Sequence, residues 1–423
     1  MSIIDGKKLS GVVLVPPSKS MSHRAIICAA LSKGKSIIHN VSYSEDILAT
    51  IDGVKSLGVD VKILKKEKDS ISLIIEGDVN NKDSIVFSAR ESGTTMRLLI
   101  PILACYDKEV TIKGEGRLMK RPHYIYEKIF NERNLLFFQN EECLKFKGPL
   151  KPGKYRVDGS ISSQFISGLL FALPLLDGDS EIEILGKFES KSYVDLTLQI
   201  QKEFGIKIKF IDNKYYIKGN QKYRNRDYTV ENDCSQGAFW LSLCALGADI
   251  KVKGFPIKSL QGDRVILTLL EKMGADFLIK EDIILCKKTA NRSIKVDVSN
   301  CPDLVPILSG VMCFLEGEGQ ITNAKRLRLK ESDRLSSMKN NLNKIGANIV
   351  ELEDSLIIKG INNFSHGIIN SDNDHRIAMT FGILSYKVGK LEIDDISVVK
   401  KSYPRFWNVF CELGGFVDGL NMA

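Results

Sequence analysis

Apolar residues recur along this chain in two rhythms. In Glu45–Gly58, Tyr193–Gly205, Asp263–Gly274 and Asp333–Gly346 they return every third or fourth residue, as Ile266, Leu269, Leu270 and Met273 do, and each stretch ends at a glycine. That spacing lays one apolar stripe along a helix, and the glycine suits the left-handed residue that closes it. Pairs of short β-prone runs follow, such as Val59–Ile63 with Ile71–Glu76, Ile206–Ile211 with Tyr215–Lys218, and Ala347–Leu352 with Leu356–Lys359. These read as hairpins.

The second rhythm precedes the first. Six segments open on small or polar residues, continue into a helix rich in Ala, Leu, Ile and Gly, and turn into a β-prone run. The openings are Ser20–Arg24, Ser92–Arg97, Ser162–Phe165, Asp233–Gln236, Cys301–Leu304 and Asn373–Arg376; the runs are Lys35–Val41, Val110–Gly114, Glu181–Leu185, Ile250–Gly254, Gln320–Ala324 and Lys390–Ile396. One opening follows the last at roughly 70 residues, the mark of an internal repeat. Each unit reads β-α-β-α-β-β, so the fold class is α/β, built of α+β repeats.

Six units form either one ring or two groups of three, and a chain of 423 residues favours two domains. The polar segment Lys222–Asp227 is the candidate crossover. The strand Gly11–Val15, ending at Pro16-Pro17, is assigned to the carboxy-terminal half. The expected domains are therefore 17–228, and 1–16 together with 229–423, with an active site in the cleft between them.

Composition narrows the class of protein. Hydrophobic residues make up 43% and charged residues 26%, as in a globular chain with a large core. No stretch approaches the roughly 20 apolar residues of a membrane span, since Gly168–Leu176 and Val305–Leu315 are short and interrupted by Pro or Gly. Met1–Ser10 lacks an apolar signal core, and nine cysteines show neither a C-x-x-C pair nor a histidine at metal spacing. These features predict a cytoplasmic protein with reduced thiols and no metal site. The net charge of +8 suits acidic ligands without naming one.

The helix openings carry the candidate chemistry. A helix start exposes unpaired N–H groups and partial positive charge, and so attracts phosphate and carboxylate. In Pro17–Arg24, Lys19 precedes the helix and Arg24 lies on its first turns. Glu91–Arg97 offers Gly93, where a ligand can approach the backbone closely. Ser162, Ser163 and Gln164 add two hydroxyls and an amide. In the carboxy-terminal half, Arg326–Arg334 mixes cations with acids at a strand-to-helix junction capped at Ser332 or Asp333. Asn373–Arg376 opens another helix, Lys400–Pro404 begins the last one, and Asp303 follows Pro302. Each alone is an ordinary cap or a solvated cluster. Three hydroxyl-bearing openings on repeated units exceed what capping requires and point to an enzyme that holds two phosphorylated anions.

Taken in order, PPSKSMSHR (16–24), SGTTMR (92–97), KRP (120–122), SSQ (162–164), ESKSYVD (189–195), KESDR (330–334), NDHR (373–376) and KKSYP (400–404) make the chain resemble the 5-enolpyruvylshikimate-3-phosphate synthase family of enolpyruvyl transferases. The resemblance implies two domains of three units, each an inside-out α/β barrel. It implies transfer of the enolpyruvyl group of phosphoenolpyruvate to the 5-hydroxyl of shikimate 3-phosphate, releasing phosphate, in the shikimate pathway and without cofactor or metal. Ser20 and Arg24 would hold the carboxylate end of shikimate 3-phosphate. Ser162, Ser163 and Ser190 would hold its phosphate, with Lys19, Gln164, Tyr193, Asp303 and Lys330 around the rest. Phosphoenolpyruvate would meet Lys19, Gly93, Arg121, Gln164, Arg334, Arg376 and Lys401. The catalytic set would be Lys19, Asp303 and Glu331, with Asp303 like the base near the attacking hydroxyl and Glu331 like the residue that handles the methylene proton. Which group is acid and which base stays open. The implied enzyme is a monomer that binds neither nucleic acid nor membrane.

Some positions depart from the family pattern. Asn-Ala commonly precedes the glycine of the second motif and Pro follows its Met-Arg; here these positions are Glu91, Ser92 and Leu98. The family is the target of glyphosate, and these changes lie beside Gly93, where it would sit. Arg326 stands where Asn is frequent, so that contact is not carried over. The sister transferase acting on UDP-N-acetylglucosamine typically shows a G-x-K-N start and a loop cysteine. This chain has Ser-Lys-Ser and no cysteine in Gly114–Arg121. A nucleic-acid binder would show a basic stripe with exposed aromatics, whereas these cations sit at helix openings beside acids.

Overall fold

The computed structural model describes residues 1–77, 84–361 and 363–420. Among them are twelve α-helices, two to each repeated unit: α1 Lys19–Leu31, α2 Glu45–Ser56, α3 Gly93–Leu103, α4 Tyr124–Asn131, α5 Ser163–Ala172, α6 Lys191–Glu203, α7 Cys234–Ala245, α8 Ile266–Lys272, α9 Val305–Met312, α10 Arg334–Lys344, α11 His375–Val388 and α12 Phe406–Glu412. No described helix is long and apolar enough to cross a membrane.

The described strands form six four-stranded sheets of one plan. In the second unit, Ser84–Ser88 runs parallel to Glu109–Lys113, which pairs antiparallel with Cys143–Lys147, and that strand pairs with Phe137–Gln139. The parallel pair requires a crossover, which α3 supplies. Three sheets are completed by strands distant in sequence. Asp227–Thr229, at the end of the polar segment, lies parallel to Ile37–His39 and opens the first unit. Ser10–Leu14 lies parallel to Asp249–Lys253 and opens the fourth. Ser2–Asp5 fills the sixth sheet between Leu391–Ile393 and Phe416–Val417.

The chain divides into two compact bodies, Pro17–Glu231 and Met1–Pro16 with Asn232–Ala423. Each has its own apolar core. The first helix of a unit is enclosed: every α1 residue from Met21 to Ala30 is buried, and all of α7 is buried except Ser235. The second helix buries one face, as α8 does with Ile266, Leu269 and Leu270, and full burial of one such side chain stabilises by about 1.5–3 kcal/mol.

Several element boundaries differ from the expectation. The second and sixth units also carry a second-layer helix, α4 and α12, where the sequence pattern marked four. α4 has only eight residues, too few to establish a stripe. The last helix does not begin at Lys400: Ser397–Lys401 is a 3₁₀ turn, and α12 starts at Phe406. Pro404 disfavours helical backbone at the residue before it. Lys19 does not precede α1 but is its first residue, because the Ser18 hydroxyl caps the helix by accepting from Met21 N at 3.4 Å. Of Ser332 and Asp333, Asp333 is the cap of α10.

Candidate active site

In the amino-terminal body, α1 presents Lys19, whose Nζ donates to Asp46 Oδ2 on α2 at 2.7 Å. One turn on, Arg24 is 2% exposed. It donates to Ser20 O at 2.8 Å, to Thr197 Oγ1 at 2.8 Å and to Tyr193 O at 2.9 Å. All three acceptors are neutral. Burial lowers the Arg24 pKa to about 10, and two of its five donors stay uncommitted to these bonds. Ser190 stands just before α6 at φ +53°, a left-handed conformation a non-glycine residue rarely takes.

At α5, the Ser162 hydroxyl is the cap, accepting from Gln164 N at 3.3 Å, and Ser163 is the first helical residue. Gln164 Oε1 accepts from Arg97 Nη1 at 2.9 Å while its Nε2 donates to Thr94 Oγ1 at 2.8 Å. These two bonds together orient the amide. Arg97 also donates to Pro122 O at 3.2 Å and lies over the Phe165 ring, 4.9 Å from its centroid. Gly93 opens α3 directly under Arg121: a Cβ there would lie 2.7 Å from Arg121 Nη1. Burial first, then the Arg97 and Arg121 charges, lower the His123 pKa to about 3, so that ring adds no third cation.

The carboxy-terminal body gathers a charged cluster. Asp303 sits on the 3₁₀ turn Pro302–Leu304 that leads into α9. Its carboxylate accepts from Arg334 Nη1 at 2.7 Å and Arg376 Nη2 at 3.0 Å, with Lys330 Nζ at 3.6 Å. Arg334, 1% exposed, also donates to Glu331 Oε2 at 2.9 Å and Asp374 Oδ2 at 2.8 Å. Burial alone would lower the Arg334 pKa, but Asp374, Glu331 and Asp303 outweigh it and raise it. Asp374 caps α11, accepting from Arg376 N at 2.9 Å and from Ser332 Oγ at 3.1 Å. Burial would raise its pKa; Arg334 and His375 outweigh that and hold the carboxyl below its ordinary range. Lys401 Nζ donates to Asn373 O at 2.8 Å, on the turn before α11.

The structure thus brings Asp303, Lys330, Glu331, Arg334 and Arg376 into one cluster, with the Lys401 ammonium bonded to the turn before α11. In the other body it links Arg24 with Ser20 and Tyr193, Gln164 with Arg97, and Gly93 with Arg121. Residue-type reasoning missed Asp46, Thr94, Arg97 and Asp374 as partners. Arg97 and Asp374 lie inside motifs already singled out, whereas Asp46 is an acid on a second-layer helix with no local signal. The departing positions have local roles. Ser92 caps α3, Leu98 is buried in the core, and the Glu91 carboxylate covers Gly116. Arg326 donates to Ser299 O at 2.5 Å and Val298 O at 3.3 Å.

Repeated α/β bodies whose helix openings collect cations, hydroxyls and acids define a protein that handles small, highly charged anions. The family model of EPSP synthase (3-phosphoshikimate 1-carboxyvinyltransferase) matches residues 3–410. The chain is 47% identical to the 3-phosphoshikimate 1-carboxyvinyltransferase of Clostridium perfringens strain ATCC 13124 over 99% of both chains, and 45% identical to that of Clostridium novyi over 98% of both. Among solved structures, EPSP synthase from Acinetobacter baumannii superposes with a TM-score of 0.79 at 25% identity, covering 99% of each chain. The chain belongs to the EPSP synthase family.

Proposed function

We propose that this protein transfers the enolpyruvyl group of phosphoenolpyruvate to the 5-hydroxyl of shikimate 3-phosphate and releases phosphate. The observation that carries the reading is the Asp303 carboxylate, held by Arg334 and Arg376 beside Lys330 and Glu331. The reaction removes a proton from a hydroxyl as its oxygen bonds to the phosphate-bearing carbon, and delivers a proton to the methylene carbon. Loss of that proton again, as phosphate departs, restores the double bond. Asp303 and Glu331 are placed on one guanidinium, so two carboxylates of unequal surroundings are available for such transfers. Lys19 completes the catalytic set.

In this reading Lys19, Ser20, Arg24, Ser162, Ser163, Gln164, Ser190, Tyr193, Asp303 and Lys330 receive shikimate 3-phosphate. Lys19, Gly93, Arg121, Gln164, Arg334, Arg376 and Lys401 receive phosphoenolpyruvate. Each substrate carries a carboxylate and a phosphate of about −1.5 to −2, and guanidinium forks suit both groups bidentately. We take the two bodies, Pro17–Glu231 and Met1–Pro16 with Asn232–Ala423, as the two domains, each an inside-out barrel with enclosed first helices, in a cytoplasmic monomer that needs no metal and binds no nucleic acid.

The test is phosphate release by purified protein given phosphoenolpyruvate, with shikimate 3-phosphate added or omitted and no metal added. Release only with both supports the reading. Release with UDP-N-acetylglucosamine in place of shikimate 3-phosphate moves the chain to the sister reaction and overturns the ring contacts.

A further inference from the structure

Four buried side chains form a hydrogen-bonded ladder across three helices of the amino-terminal body. His23 Nδ1 on α1 lies 2.6 Å from Thr50 Oγ1 on α2, which lies 2.6 Å from Thr95 Oγ1 on α3; Thr95 Oγ1 lies 2.8 Å from Ser92 Oγ, the α3 cap. All four residues are at most 1% exposed. Thr95 Oγ1 also lies 3.2 Å from the carbonyl of Asp46, whose carboxylate holds Lys19. Ser92 in turn precedes Gly93, on whose backbone the Arg121 guanidinium packs. A single hydroxyl therefore touches both the residue that anchors Lys19 and the cap of the Gly93 opening.

The ladder has a direction. Burial, then the Lys19 and Arg24 charges, hold the His23 pKa well below its ordinary value, so the ring is neutral. Its buried Nε2 has no hydrogen-bond partner among the described residues. An orphaned buried N–H is rarer in folded proteins than an under-satisfied acceptor, so the proton belongs on Nδ1, donating to Thr50. Each hydroxyl has one proton to pass on: Thr50 can donate to Thr95 at 2.6 Å or to the Asp46 carbonyl at 3.4 Å, and Thr95 to Ser92 at 2.8 Å or to the same carbonyl at 3.2 Å; where Thr95 donates to Ser92, the Ser92 hydroxyl keeps its own proton. Coupled donors of this kind polarise and stiffen one another.

We propose that Thr95, backed by Thr50 and His23, is a positioning residue for phosphoenolpyruvate, fixing the spacing of Lys19 from the Gly93–Arg121 edge and aiming the Ser92 hydroxyl. The proposal rests on reading Lys19, Gly93 and Arg121 as phosphoenolpyruvate contacts. The alternative is a ladder that only satisfies buried polar groups, and the two roles separate in kinetics.

The experiment compares Thr95→Val, which keeps the side-chain shape and removes the hydroxyl, with Thr95→Ser, which keeps the hydroxyl. KM for each substrate, kcat and melting temperature are measured. Loss of one neutral hydrogen bond is worth about tenfold. Thr95→Val is therefore expected to raise KM for phosphoenolpyruvate about tenfold while KM for shikimate 3-phosphate changes far less, and Thr95→Ser to restore the wild-type value. Equal changes in both KM values, no change, or a lower melting temperature with both KM values intact overturns the proposal. If Thr95→Val does not fold, Thr50→Val is read by the same criteria. A wild-type protein that releases no phosphate from the two substrates overturns the reaction itself, which is distinct from a wild type that turns over alongside an indifferent Thr95→Val.

Discussion

The two bodies share one repeat yet hold their most deeply buried arginines in opposite surroundings. Arg24, in the amino-terminal body, is bonded to a hydroxyl and two backbone carbonyls. Arg334, in the carboxy-terminal body, is bonded to the carboxylates of Asp303, Glu331 and Asp374. Neutral acceptors orient a guanidinium without cancelling its charge, so the field around Arg24 remains available to an anion. Carboxylates cancel the charge and couple it to proton chemistry. One arrangement leaves its cation uncompensated, and the other surrounds its cation with carboxylates.

The sharpest way to break this contrast is at its acid. Asp303→Ala is expected to fold and to lose at least about two orders of magnitude in turnover, the scale of removing an acid–base group; turnover near wild type removes Asp303 from the mechanism. A second comparison concerns stability. Arg334→Met leaves the Asp374 carboxylate buried without its cation and is expected to cost about 3–5 kcal/mol. Arg24→Met strands only neutral acceptors and is expected to cost about 1–3 kcal/mol. Urea unfolding of both variants checks the order, and equal losses would erase the distinction. Next, Arg121→Ala is expected to raise the phosphoenolpyruvate requirement more than the shikimate 3-phosphate requirement in steady-state kinetics. An equal rise contradicts its placement with phosphoenolpyruvate.

The smallest effect is one of pH. Asp263 is buried on the 3₁₀ turn before α8 and accepts from the Ser235 hydroxyl. Burial, then the Asp303 charge, raise its pKa to about 7, against the partial opposition of Arg376. Unfolded, the same carboxyl titrates near about 3.9. Between those values the folded protein holds a proton that the unfolded chain has released, so this group favours folding most at low pH, and its contribution is lost as pH rises toward about 7. Asp263→Asn is expected to flatten the stability profile over that window in denaturation at several pH values. An unchanged slope assigns the pH dependence elsewhere.

Legibility along the chain followed solvent exposure. α8 and α10 show a stripe because one face is wet; α1 and α7 show none, being enclosed on nearly every side, and were visible only through composition and their polar openings. α4 was missed because eight residues cannot display a period, and α12 begins later than expected because Lys400–Pro404, read as its opening, is a 3₁₀ turn and the loop after it.

The sequence by itself determined the repeat, the hairpins, the polar helix openings and the residue types concentrated there, because each depends on neighbours a few positions apart. Only the tertiary structure decided what those residues touch. Asp46 reaches Lys19 from the next helix, Asp374 reaches Arg334 from 40 residues away, and Thr197 reaches Arg24 from 173 away. It likewise decided that Ser2–Asp5 completes the sheet of the last unit. Ion pairs and strand pairings answer to distance in space, and a distant partner leaves no periodic trace in the segment it completes.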